Sequence, residues 1–196
     1  KMITHCKEND VLTDENKIHR AKWLHSSMLQ RCGNYYQKIN KAYEGVTVST
    51  NFKSVRYFTE WCLSQTGFDT KDQSLWFFHL DKDLLSPPNT KIYSEDTCVF
   101  LPAEINCVLQ TRPPSQRKLP RGVAYVKYQD KYSATVSSGL RTLNLGYFDT
   151  PQEASLVYNE AKLLVIQDLA NKWESKISDK AYQALMSFDI SRLIRQ

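Results

Sequence analysis

The chain has 196 residues, a formal net charge of +5 and 41% hydrophobic residues, enough for one ordinary domain or two small ones with packed cores. Six glycines and seven prolines exclude a collagen-like or linker-dominated chain, and no apolar run reaches the roughly 18 residues of a membrane span. Five scattered cysteines (Cys6, Cys32, Cys62, Cys98, Cys107) contain no Cys-x-x-Cys pair, which argues against a structural zinc and for buried thiols in a reducing compartment.

Residues 1–18 are polar and mixed in charge, without an apolar signal region, and Lys1 before Met2 reads as an artificial boundary. From about Lys17 a helical pattern begins. Ile18, Ala21, Trp23, Leu24, Met28, Leu29 and Cys32 form its apolar set, and Gly33-Asn34 stops it. Tyr43 to Val48 reads as a brief extended piece. A second helix is expected from about Ser54 to Ser64, with Val55, Phe58, Trp61 and Cys62 facing the core and Gly67 ending it.

The centre of the chain reads as strand, loop, strand, helix. Residues 75–80 and 98–101 are expected as strands, separated by turns at Ser86-Pro87-Pro88-Asn89-Thr90 and Tyr93-Ser94-Glu95-Asp96. Pro102 suits the first position of a short helix over Ala103–Gln110. A histidine (His79) before two acids (Asp81, Asp83), with Asn106 on the following helix, is the residue set of a one-metal phosphodiesterase.

Residues 111–121 carry three prolines and the cations Arg112, Arg117, Lys118 and Arg121. They read as a linker that can lie along a phosphate backbone, so neutralising these cations should flatten the salt dependence of DNA binding. Three strands follow, Gly122–Tyr128, Lys131–Ser137 and Arg141–Phe148, with the two-residue alternation of a half-buried antiparallel sheet. Asp149 or Thr150 caps a long helix with Pro151 in its first turn and Glu153 close behind. Ala154, Val157, Tyr158, Ala161, Leu164, Val165 and Leu169 form the stripe that covers one sheet face. The other face carries Ala124, Val126, Ser133, Thr135, Ser137, Thr142 and Asn144, with Lys127 and Arg141 near its edges, and small polar residues with basic edges suit a groove of DNA. Residues 175–196 read as a short helical tail.

Two stretches carry a family resemblance. Arg121-Gly122-Val123, Lys131-Tyr132-Ser133-Ala134, Leu145-Gly146-Tyr147-Phe148-Asp149-Thr150, Glu153-Ala154 and Tyr158-Asn159-Glu160-Ala161 resemble the APETALA2/ethylene-response-factor DNA-binding domain. The groove-facing positions depart from that family, with Ala124, Thr135 and Asn144 where Arg, Glu and Trp are common. Upstream, Leu80-Asp81-Lys82-Asp83-Leu84-Leu85, Lys91 to Ser94, Thr97 to Pro102 and Ile105-Asn106 look like the core of bacteriophage HNH homing endonucleases. Trp23 to Cys32 and Phe58 to Trp61 are similar to the preceding part of that group.

The resemblance implies an α+β chain. A ββα-metal nuclease domain with N-terminal helices would span residues 1–110, a basic linker 111–121, an APETALA2-like domain 122–172 and a helical tail 173–196. It implies a site-selective endonuclease acting on double-stranded DNA with Mg²⁺, or Mn²⁺, as a monomer in the cytoplasm of an infected bacterial host, with neither a membrane nor a small-molecule substrate. His79 then matches the general base and Asn106 the helix ligand, with Asp81 or Asp83 as the carboxylate ligand. A competing alignment puts the acid–base pair at Asp81-Lys82, with Lys82 near the leaving oxygen. Phe78 stands where an acid usually precedes the histidine, and Thr97 where the motif's middle Asn would orient it; Asn89 in the loop is the substitute for that role. These two departures sustain an alternative, a non-cleaving DNA-binding protein that keeps the endonuclease fold.

Overall fold

In a computed structural model of the chain, residues 13–110, 119–138 and 141–194 are described. They form a mixed α+β structure that divides into two compact units. The first comprises residues up to Pro102 together with Lys176–Ser178, and the second comprises Ala103–Ser175 and the residues from Asp179 on.

The first unit opens with helix α1 (Asp14–Cys32). The Thr13 hydroxyl caps it by accepting from the Asn16 amide at 3.3 Å, and Asp14 and Glu15 complement the positive end of the helix. Its buried face is Ala21, His25 and Met28, spaced by four and three. Trp23 and Ile18, expected in this stripe, are exposed. At about 100° per residue, Trp23 sits roughly 200° from Ala21 and so points away from the core. A short helix α2 (Asn34–Ile39) follows directly after Gly33. Helix α3 (Val55–Ser64) begins at a Ser54 cap and buries Phe58 and Cys62, while Val55 is exposed, against expectation. Phe52 meets Phe58 edge-on at 4.9 Å between centroids, and Trp61 and Phe100 extend this aromatic cluster.

Four short strands make two pairs in this unit. β1 (Thr47–Val48) runs parallel to β3 (Ile92–Tyr93), and β2 (His79–Asp81) runs antiparallel to β4 (Val99–Leu101). β2 starts later than the expected strand 75–80. The Asp72 carboxylate accepts from the Ser74 and Trp76 amides at 2.9 and 3.0 Å, which holds residues 72–76 in a turn.

The second unit holds α4 (Ala103–Leu109), a three-stranded antiparallel sheet in the order β5 (Val123–Val126), β6 (Lys131–Ser137), β7 (Thr142–Phe148), and helix α5 (Pro151–Trp173). Short helices α6 (Asp179–Met186) and α7 (Ser191–Ile194) complete it. The expected boundary at residue 110 thus lies one helix later than the observed division. α4 belongs with α5 because Glu104 accepts from the Lys172 ammonium at 2.6 Å and from the Trp173 indole. The tail joins the same unit: the Tyr182 hydroxyl donates to Asn171 at 3.0 Å and the Gln167 amide to the Met186 carbonyl at 3.2 Å.

α5 covers one face of the sheet. Val123, Ala134, Val136, Ala154 and Tyr158 are its buried centre, with Tyr132, Leu145, Phe148, Ala161 and Val165 packed around them. Its start is a full capping box. Glu153 N–H donates to the Thr150 hydroxyl and Thr150 N–H donates to the Glu153 carboxylate, both at 3.2 Å. Thr150→Ala should therefore cost about 1 kcal/mol in chemical denaturation, with Thr150→Ser close to wild type. Leu164, expected in the buried stripe, is exposed, and Lys162 is buried in its place. Among the described residues no helix is long and apolar enough to cross a membrane.

Candidate nucleic-acid interface

In the first unit, β2 and β4 gather most of the residues expected to act on phosphate. His79 is exposed at the start of β2, opposite Leu101. Its imidazole sits below its ordinary pKa through desolvation, opposed by Asp72 and reinforced by Arg20 and Arg31. Asp81, two residues on, is buried opposite Val99. Its Oδ1 accepts from the Asp83 and Leu84 amides at 3.0 and 2.8 Å, so it caps the turn that leaves the strand. Burial pushes its carboxyl up to about 6, the charge of Asp83 adds to this, and the two amide hydrogen bonds pull it back.

The neighbouring positions serve the fold. The Lys82 ammonium is buried, paired with the Asp83 carboxylate and 5.6 Å from the Tyr93 ring centre. Phe78 is a core residue whose carbonyl accepts from Arg20 at 2.8 Å. Thr97 is buried, and its hydroxyl donates to the Ile92 carbonyl at 2.7 Å and accepts from the Ser94 amide at 3.1 Å. It closes the turn between β3 and β4. Asn89 is exposed with φ of +64°, a left-handed turn position that asparagine tolerates. Cys62 and Cys98 are buried as expected, while Cys107 is exposed.

Mg²⁺ asks for a near-octahedral shell of oxygens, usually with one or two carboxylates and water. The two carboxylates beside β2 are already engaged within the fold. One oxygen of Asp81 already serves two amides, and Asp83 is ion-paired with Lys82; Asn106 is half-buried on α4. Among the described residues no three His, Cys, Asp or Glu side chains converge as metal ligands do.

The second unit presents a different surface. Ala134 and Val136 point from β6 into the core, so Ser133, Thr135 and Ser137 point away from α5. Their cross-strand partners share that outward face. Ala124, Ser133 and Tyr147 form one row, Thr135 and Asn144 a second, Ser137 and Thr142 a third. Thr135 and Asn144, expected on DNA, are therefore adjacent and exposed. The Asn144 side-chain carbonyl also accepts from the Gly146 amide at 3.0 Å. Lys127, in the turn after β5, and Arg141, in the turn before β7, are exposed at opposite ends of β6.

Tyr147 is a member of this face that alternation alone assigns to the core side. A bulge interrupts the β6–β7 register between Ala134 and Thr135, where Gly146 takes φ of +121°. One extra residue reverses the side on which all later side chains emerge, so Tyr147 turns outward and Phe148 inward. Gly146 is the sequence signal for it. Tyr147 and Tyr128 are both exposed.

Of the four linker cations, Arg112, Arg117 and Lys118 lie outside the described residues. Arg121 is engaged within the second unit: its guanidinium donates to the Gln110 carbonyl at 2.8 Å and to the Leu193 carbonyl at 3.5 Å. No protein-family model, curated protein or solved structure matches the chain.

Proposed function

We propose that the chain binds double-stranded DNA through the outward face of the β5–β6–β7 sheet. The observation that carries this reading is the division of that sheet. α5 and the core cover one face, while the other is open, small, polar and uncharged at its centre, with exposed Lys127 and Arg141 at its two ends. Cations flanking a neutral strip suit phosphates flanking base edges. The APETALA2 resemblance points to the same face, since in that family a three-stranded sheet enters the major groove and a helix packs behind it.

Fluorescence anisotropy on a duplex of mixed sequence tests this. Thr135→Glu, exposed at the centre of the face, should weaken binding by tenfold or more with an unchanged unfolding midpoint. The double variant Lys127→Ala/Arg141→Ala should lower the slope of log K against log[salt] by roughly 2, at about 0.9 for each phosphate that is no longer neutralised. Unchanged affinity in both variants would remove the sheet from the interface.

Phosphodiester cleavage in the manner of the HNH homing endonucleases is the second reading, and His79 is what favours it. An exposed imidazole held below its usual pKa is neutral at pH 7 and so able to accept a proton. Long duplex DNA incubated with Mg²⁺ or Mn²⁺ and resolved on denaturing gels decides the matter. Breaks that vanish in His79→Ala, with DNA binding retained, assign the base to His79. Breaks that vanish in Lys82→Ala but persist in His79→Ala assign the competing alignment. No breaks alongside clear binding leave a DNA-binding protein without cleavage.

A further inference from the structure

We infer that the sheet face reads the thymine edge of the major groove, so that the protein prefers A·T-rich duplex through thymine's C5-methyl group. This rests on the proposed DNA-binding role of that face and concerns what the face recognises.

The chemistry of the rows leads there. Ala124, Thr135 and Thr142 place methyl groups outward, and all three are exposed. In the major groove the apolar partner of an alanine or threonine methyl is the C5-methyl of thymine. Guanine is read chiefly by Arg or Lys reaching O6 and N7. None of the seven residues in the three rows is Arg or Lys, and Lys131, in the same register at the strand's end, pairs with Asp149 at 2.9 Å.

Asn144 supplies the polar half of the recognition. Its side-chain oxygen is turned toward the Gly146 amide at the bulge, which fixes the orientation of the amide group. That leaves the NH₂ as the end free to meet a base, and an NH₂ donates. Thymine presents an acceptor, O4, beside its methyl, whereas cytosine presents a donor, N4, at the same place. Thr135 lies directly opposite Asn144, so a methyl and an outward donor sit side by side on the face. That pair matches the methyl and O4 of one thymine, and a cytosine there would set donor against donor.

The length of the sheet agrees with a groove crossing. β6 spans seven residues, about 20 Å at roughly 3.3 Å per residue, and its ends lie by Lys127 and Arg141. The major groove is about 12 Å wide, so cations at the two ends can reach phosphates on either side of it.

The experiment uses the full chain and three duplexes of equal length in fluorescence anisotropy. One is A·T-rich, one is the same sequence with deoxyuridine for every thymine, and one is G·C-rich. Deoxyuridine keeps O4 and the pairing and removes only the methyl. Two methyl contacts, each of the order of one buried CH₂, correspond to about tenfold weaker binding of the deoxyuridine duplex. The G·C duplex should bind at least as weakly as the deoxyuridine one, and 5-methylcytosine should restore part of that loss. Thr135→Ser, which deletes a methyl and keeps the hydroxyl, should reduce the thymine-to-deoxyuridine ratio. Asn144→Asp keeps the acceptor for Gly146 and replaces the donor by an anion, so it should lower affinity for the thymine duplex tenfold or more without moving the unfolding midpoint. Firm binding with equal affinity for the thymine and deoxyuridine duplexes overturns this inference and leaves the DNA-binding role standing. No binding to any duplex at low salt overturns both.

Discussion

Gly122→Ala should unfold or severely weaken the second unit, with a loss on the order of 3 kcal/mol or more. Two independent penalties meet at this residue. Its φ is +74°, a backbone conformation that residues with a Cβ adopt only at a cost. A Cβ there would also stand 2.1 Å from Cδ2 and 2.3 Å from Cε2 of the Tyr158 ring. That ring is the buried anchor of α5, packed with Val123, Ala134, Val136 and Ala154. The Gly122 carbonyl also accepts from the Thr135 amide at 2.9 Å, so a shift of the backbone would reach the strand proposed to face DNA. Chemical denaturation followed by circular dichroism measures the loss. A midpoint within experimental error of wild type would contradict this packing. Gly122→Ala combined with Tyr158→Ala, which removes the clash but opens a cavity, should recover part of the loss attributable to Gly122→Ala alone.

Lys162→Met should stabilise the protein at neutral pH, by up to about 3 kcal/mol, at 1.36 kcal/mol per unit of pKa displacement. Lys162 is 4% exposed on the face of α5 that also carries Tyr158 and Ile166, and none of the ion pairs among the described residues includes it. Burial pushes its ammonium down to about 8, and the nearby charge of Arg121 pushes the same way. The native state therefore gives up this proton near pH 8, while the unfolded chain keeps it to about 10.5. Below pH 8 the full penalty of a buried charge is present in the wild type. As pH rises from 8 to 10.5 the unfolded state holds more protons than the native one, so the wild type gains stability relative to the methionine variant. Methionine has a similar unbranched reach and no charge. Urea denaturation of both proteins at pH 7 and pH 9.5 should show the variant's advantage shrinking with pH. A variant no more stable than wild type at pH 7, or an advantage constant with pH, would contradict the buried charge.

Much of the second unit is legible in the sequence because its signals are local. Thr150, Pro151 and Glu153 specify the start of α5 within four residues, and the capping box is present in the structure. The two-residue alternation of β5 to β7 places the strands to within a few residues and identifies the face with Thr135 and Asn144. In the first unit α3 is read to within a residue from Ser54, whereas α1 begins at Asp14, three residues before the expected Lys17, because Thr13 caps it. Aromatic character is the less reliable guide. Trp23 looks like a core residue and is exposed, because its angle around α1, and not its hydrophobicity, decides where it points.

The β2–β4 residues show the limit of motif reading. His79, Asp81 and Asp83 are close in sequence, yet each has a different state: exposed, buried as a turn cap, and ion-paired. Spacing carries no information about which backbone amides fold back onto a carboxylate. Asp81 is drawn in by the Asp83 and Leu84 amides, a local act whose outcome depends on the core beneath it.

By itself the sequence determined the longer helices, the three strands of the second unit and their order, the cap of α5, and the presence of a sheet with one apolar and one small polar face. Each of these follows from interactions within a few residues or from the period of a helix or strand. Only the tertiary structure decided that Tyr147 joins the outward face, that Lys162 is buried beside Arg121, that α4 belongs with α5, and that Asp81 caps a turn. These depend on contacts between distant segments, where one extra residue in a strand or one neighbouring guanidinium reverses what a side chain meets.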